Sequence, residues 1–256
     1  MKPLALATLA CLIGACSAAP PLQANTLARD EEQSVKAARI NAQLAVAYLK
    51  QNDVAAAREK IEKALNQNPR DSGVQSSAGL VYERLQEPDK AEQHYAAAMR
   101  YAPNDPDMQN NYAVFECRRG KWEKGLKMFD QAAKNPAYAT PEVAYSNAGV
   151  CARDSKNLAR AEDLFRKALS IRSDFPDALL QLTDLSLERG NALAARAFLE
   201  RYFASARATP ESLLLGVRIE HKLGDRHAED RYADRLEHEF ADSDQARRLQ
   251  EGAGAR

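Results

Sequence analysis

The same kinds of side chain return every 34 residues along this chain. Pro69 and Pro103 are one such step apart; Ala45, Gly79 and Ala113 keep it, and so do Ala57, Ala91 and Gly125. The small-residue columns continue through Gly149 and Thr183, and through Ala161, Ala195 and Ala228. A larger apolar column runs Ile61, Tyr95, Phe129, Phe165, Leu199, Tyr232, and an alanine column runs Ala64, Ala98, Ala132, Ala168. A period of this length means that one supersecondary unit is stacked on the next, each burying the face its neighbour leaves open. The one sizeable break is two extra residues within 135–141, between the third and fourth units.

Each unit reads as two helices. The first carries aromatic and small residues together, as in Leu80-Val81-Tyr82 or Asn111-Tyr112-Ala113. Turn residues follow at Asn52-Asp53, Pro88-Asp89, Gly120, Asn157, Gly190 and Gly224. The second helix is alanine-rich and amphipathic, as in AAAREKIEKAL and AEDLFRKAL. Proline then stops it, having no amide to donate and clashing with the preceding turn. Small residues return at the same slots because paired helices approach closely there.

This pattern resembles the tetratricopeptide (TPR) repeat. The second unit, with Ala78, Gly79, Tyr82, Ala91, Tyr95, Ala98 and Pro103, matches nearly every signature slot. Six units start near residues 38, 72, 106, 142, 176 and 209, and the last two are degenerate, with Thr183 at a small-residue slot and Tyr202 at an alanine slot. The resemblance implies an all-α, right-handed superhelical array over about residues 30–250, with a disordered tail at 251–256.

The first fifteen residues hold one charge, Lys2, and then an apolar run too short to span a bilayer. Residues 1–15 read as a signal peptide, and Ile13-Gly14-Ala15-Cys16 resembles a bacterial lipobox, with cleavage before Cys16 and acylation of its thiol. Three acyl chains would hold the protein to a membrane effectively permanently. Ser17, where aspartate would retain such a protein in the inner membrane, points to the outer membrane. Residues 16–29 are expected to be a flexible linker between lipid and array.

Basic and acidic residues number 36 each, so nothing global favours nucleic acid. With Cys11 removed and Cys16 acylated, Cys117 and Cys151 remain as one pair in an oxidising compartment. They stand one period apart on first helices of neighbouring units, and a disulfide between them is expected; two buried free thiols are the alternative.

Catalytic chemistry is absent from the sequence. His94, His221, His227 and His238 form no i, i+4 pair and have no cysteine at zinc-ligand spacing. There is no glycine-rich phosphate loop and no G-x-S-x-G elbow, so no metal, cofactor or small-molecule substrate is expected. The chain reads as a binding protein. Its concave groove would carry an apolar stripe, Val46, Leu80, Val114 and Val150, beside a basic ladder, Lys50, Arg84 and Arg118, that ends at Asp154. A column of small and polar residues, Ala42, Ser76, Asn110 and Ser146, would offer hydrogen bonds. An apolar strip edged by cations suits an extended or helical peptide with acidic groups; ordinary helix packing with solvated charges is the competing reading.

A lipobox, a short linker and six such units resemble the type IV pilus biogenesis and stability lipoproteins, the PilF/PilW family. The segments "ARINAQLAVAYLKQNDVAAAREKIEKAL", "NNYAVFEC" and "NAGVCA" carry that likeness. It implies a pilotin, an outer-membrane partner that helps the secretin subunit localise and assemble its ring. A lipid-anchored scaffold of another envelope machine, for β-barrel assembly or cell-wall hydrolases, remains open at this point.

Overall fold

A computed structural model describes residues 21–254, and among them are thirteen helices and no strand. Twelve helices pair into six hairpins: α1 (Pro21–Lys50) with α2 (Val54–Gln67), α3 (Ser72–Arg84) with α4 (Pro88–Tyr101), and α5 (Pro106–Arg118) with α6 (Trp122–Ala133). The other pairs are α7 (Pro141–Asp154) with α8 (Leu158–Ile171), α9 (Pro176–Glu188) with α10 (Ala192–Ser205), and α11 (Pro210–Leu223) with α12 (Arg226–Glu239). Each first helix packs on its own partner, and from α3 onward also on the preceding second helix and the preceding first helix. The result is a contiguous array in which odd-numbered helices form one layer and even-numbered helices the other.

The signal peptide and Cys16 lie outside the described residues. The expected linker does not hold beyond residue 20, because α1 begins at Pro21. Proline at a first helical position loses no bond, and no glycine or further proline follows before Lys50. The expected tail is likewise helical as far as Gly254, the end of α13 (Asp244–Gly254). Ser243 caps this helix by accepting from the Ala246 amide at 3.1 Å, and Ala246 is buried with Leu213 and Leu236. Thus α13 covers the C-terminal end of the array.

The hairpin turns share one backbone device. Each of the six places one residue in the left-handed region: Asn52, Gln86, Gly120, Lys156, Gly190 and Gly224. Gln86 and Lys156 take this role where Pro88-Asp89 and Asn157 were expected to mark the turn. Pro88 instead opens α4, and Asn157 caps α8, accepting from the Arg160 amide at 3.1 Å. Asp53, Asn191 and Asp225 cap the second helices of their units in the same way.

The small-residue columns mark contact between paired helices. A methyl group at Gly79 would lie 2.8 Å from the ring of Tyr95, so the ring of the second helix sits directly on the backbone of the first. Thr183, the odd residue in that column, is fully buried and donates its hydroxyl to the Leu179 carbonyl at 2.8 Å, which satisfies it within its own helix. The segment with the extra residues runs over the surface and is pinned at two points: Tyr138 is buried in the core, and Asn135 donates to the Asn104 carbonyl at 2.9 Å.

Candidate functional site

Val46, Leu80 and Val114, contributed by α1, α3 and α5 at one residue per unit, are half-buried side by side. They line a depression of about 390 Å³ together with Ser76, Asn110 and Arg118, so six of the expected groove residues meet there. Lys50, Arg84 and Val150 do not line it; all three are exposed, Val150 on α7 beyond its far edge.

The polar column lies deeper than expected. Ala42, Ser76, Asn110 and Ser146 are all buried, and Ser76 and Asn110 meet the depression only at its bottom. The side chains of Ser76 and Asn110 are already hydrogen-bonded. Asn111 donates to Ser76 Oγ at 3.1 Å, Asn147 donates to Asn110 Oδ1 at 3.1 Å, and Asn110 donates to Asn111 Oδ1 at 3.4 Å. The residues that bring polar groups to the surface are therefore Asn111 and Asn147, each one position further along the chain. The repeat of Asn at those two places was the signal available in the sequence.

The basic ladder is partly tied down. Arg118 pairs with Glu83 of the preceding unit at 3.0 Å, and Tyr95 donates its hydroxyl to the same carboxylate at 3.3 Å. Burial, reinforced by the Glu83 charge, pushes the Tyr95 phenol well above its ordinary range, so it remains a donor. Arg84 reaches Asn52 of the preceding unit at 3.3 Å, and Lys50 has no ion pair among the described residues. Beyond Val150 the sign of the face changes. Asp154 is exposed, while Arg153 holds Asp184 at 2.6 Å, and also Glu188, across the next interface.

Cys117 of α5 and Cys151 of α7 form a disulfide with Cα atoms 5.6 Å apart. Next to it lies Glu116, fully buried, with Lys124 at 2.6 Å and Lys121 at 3.2 Å. Burial pushes this carboxyl up, but hydrogen bonds from Lys124, Tyr112 and Lys121 outweigh it and hold it below the usual range. Among the described residues no cluster of His, Cys, Asp and Glu could hold a metal ion, and no helix is long and apolar enough to cross a membrane. A larger cavity, about 710 Å³, lies elsewhere among the described residues, between α11, α12, α13 and the end of α9, and nothing in the sequence pointed to it.

The sequence profile of the tetratricopeptide repeat matches residues 42–108 and 116–178, and a second profile of the same repeat matches 152–215. The chain belongs to the tetratricopeptide repeat family. Among TPR proteins it is homologous to the type IV pilus assembly protein PilF of Pseudomonas aeruginosa, at 24% identity over 184 residues, 72% of this chain and 73% of that one. The crystal structure of PilW, described as a widely conserved type IV pilus biogenesis factor, superposes with a TM-score of 0.70 at 27% identity, covering 83% of this chain and 98% of PilW. The P. aeruginosa PilF structure has the same fold, with a TM-score of 0.67 at 22% identity over 86% of this chain and 99% of that one. TPR arrays bind protein partners, and a groove with an apolar floor and a charged rim is the surface such an array offers.

Proposed function

We propose that this TPR protein serves type IV pilus biogenesis as a non-enzymatic scaffold. Within that role it acts as a pilotin, an outer-membrane lipoprotein that binds the secretin subunit and promotes its localisation and multimerisation. The observation that carries the reading is the homology to PilF and PilW over most of the chain, end to end with PilW. The lipobox at Cys16 supports the outer-membrane address, and the depression floored by Val46, Leu80 and Val114 supports a peptide-binding role for the first three units. A groove of that kind takes an apolar segment with acidic flanks.

A clean deletion tests the reading. Without this protein, the heat-stable secretin multimer and twitching motility should both be lost, and restoring the gene should return both. If the multimer and motility survive the deletion, the pilotin role is wrong. A Cys16→Ala variant should fold but leave the outer-membrane fraction; an alanine variant still found there would place the tether elsewhere.

A further inference from the structure

Three successive first helices bring a hydrogen-bonding side chain to the depression at one shared position. Ser77 on α3, Asn111 on α5 and Asn147 on α7 stand 34 and 36 residues apart, and all three line it. The longer step keeps the register, because the two extra residues lie between α6 and α7, outside the helices that carry the amides. Three residues after each, on the same face of its helix, comes an apolar side chain: Leu80, Val114 and Val150. A polar row therefore crosses the helices beside the apolar stripe.

The polar row is held in place and has bonding capacity left. An asparagine amide has two N–H donors and an accepting oxygen. Asn111 uses one donor on Ser76 Oγ at 3.1 Å, and Asn147 uses one on Asn110 Oδ1 at 3.1 Å, so each amide is fixed against the preceding first helix. The second donor of each amide, the Asn147 oxygen and the Ser77 hydroxyl have no partner among the described residues. One unit further on the row closes: the Gln181 oxygen accepts from Arg153 at 3.1 Å.

A helix lying in the groove has no use for these groups, since its own N–H and C=O groups are bonded within it. It would cover the row and leave donors and acceptors unpaired, each at a cost. An extended segment carries unpaired main-chain groups along its edges, and its side chains alternate between two faces. Laid across the helices, it puts one edge against the amides and one set of side chains on Leu80 and Val114. We propose that the groove takes its apolar, acid-flanked partner segment in extended form and reads its main chain through Ser77, Asn111 and Asn147. With first helices packed 8–10 Å apart, the row is ~16–20 Å long, or ~5–6 residues of strand. The proposal rests on the groove being the binding surface and adds the conformation of what it binds.

The test uses the full chain and a fluorescent peptide, Ac-EVEVEVEV-NH2, read by anisotropy. N-methylation of every peptide amide removes the main-chain donors and should weaken binding at least about tenfold. A stapled helical peptide of the same composition should also bind at least about tenfold more weakly. Asn111→Ala/Asn147→Ala, shown to fold by circular dichroism, should lose about tenfold for the extended peptide, and N-methylation should then cost little more. No binding of the extended peptide, equal binding of its N-methylated form, equal or tighter binding of the helical form, or the same N-methylation penalty in the variant would each overturn the proposal. Leu80→Asp separates the two readings. If it abolishes binding while the asparagine variant does not, the groove stands and main-chain reading fails; if neither weakens binding, the groove reading fails as well.

Discussion

Cys117 and Cys151 are covalently joined across the junction between the third and fourth units, one helix-pair apart, where the spacing of the repeat is interrupted by two extra residues. The bond ties α5 directly to α7 and closes a loop of about 35 residues, for which the chain-entropy relation gives ~3–4 kcal/mol of stabilisation through the unfolded state. Reduction, or Cys117→Ala/Cys151→Ala, should therefore lower the urea midpoint by that equivalent while leaving the helical circular dichroism spectrum unchanged. Peptide mapping without reductant should find both cysteines in one crosslinked pair.

Gly125 on α6 is coupled to that bond. A methyl group there would press on Cys117 Sγ and lie 2.9 Å from the Ala113 carbonyl oxygen. Gly125→Ala should cost ~1–3 kcal/mol through overpacking. Part of the cost should disappear in the Cys117→Ala/Cys151→Ala background, where the sulfur is gone, and a double-mutant cycle measures the difference. Simple addition of the two effects would mean the carbonyl contact alone is responsible.

Gln86 and Lys156 hold left-handed backbone at turns where Gly120, Gly190 and Gly224 do the same work without a Cβ. Gln86→Gly and Lys156→Gly should each raise stability by ~0.5–1 kcal/mol, the relief of left-handed strain partly offset by the greater entropy of unfolded glycine. Gly120→Ala should lose about as much. Thermal melts of the three single variants decide this.

The Glu116 carboxyl has a lower pKa when folded than in the unfolded chain, so the unfolded state binds more protons in the range between the two values. Its ion pairs with Lys124 and Lys121 then add stability above the ordinary glutamate range, and that contribution is lost as pH falls through the folded value. Glu116→Gln should flatten the acid side of the stability profile while also lowering stability at neutral pH, because two lysines lose their partner. Urea unfolding at several pH values reads both effects.

In the groove, Leu80→Asp should abolish secretin binding in a pull-down, since it puts a charge on the apolar floor between Val46 and Val114. Replacing Lys50, Arg84 and Arg118 together by Gln should weaken binding modestly and reduce its salt dependence, each exposed charge contributing under ~1 kcal/mol. Arg118 should matter least of the three, because Glu83 already faces it. Normal binding by both folded variants would move the secretin site off this surface.

Much of this architecture was readable from the chain alone, and for one reason. A repeat obliges every unit to put the same kind of residue at the same contact, so the 34-residue columns mark helix pairs, close approaches such as Gly79 on Tyr95, and the neighbourly placement of Cys117 and Cys151. The columns do not say which way a residue turns. Successive positions on a helix differ by about 100°, so Asn110 is buried at the bottom of the groove while Asn111 is exposed on its surface. Only the packing of one first helix against the next decides between them. The same packing sets Glu83 against Arg118 and Asp184 against Arg153, pairs more than thirty residues apart that no local pattern connects. It also makes Ile40 and Leu44 surface where Val74 and Ala78 are core, because burial in a stacked array belongs to the neighbour as much as to the residue.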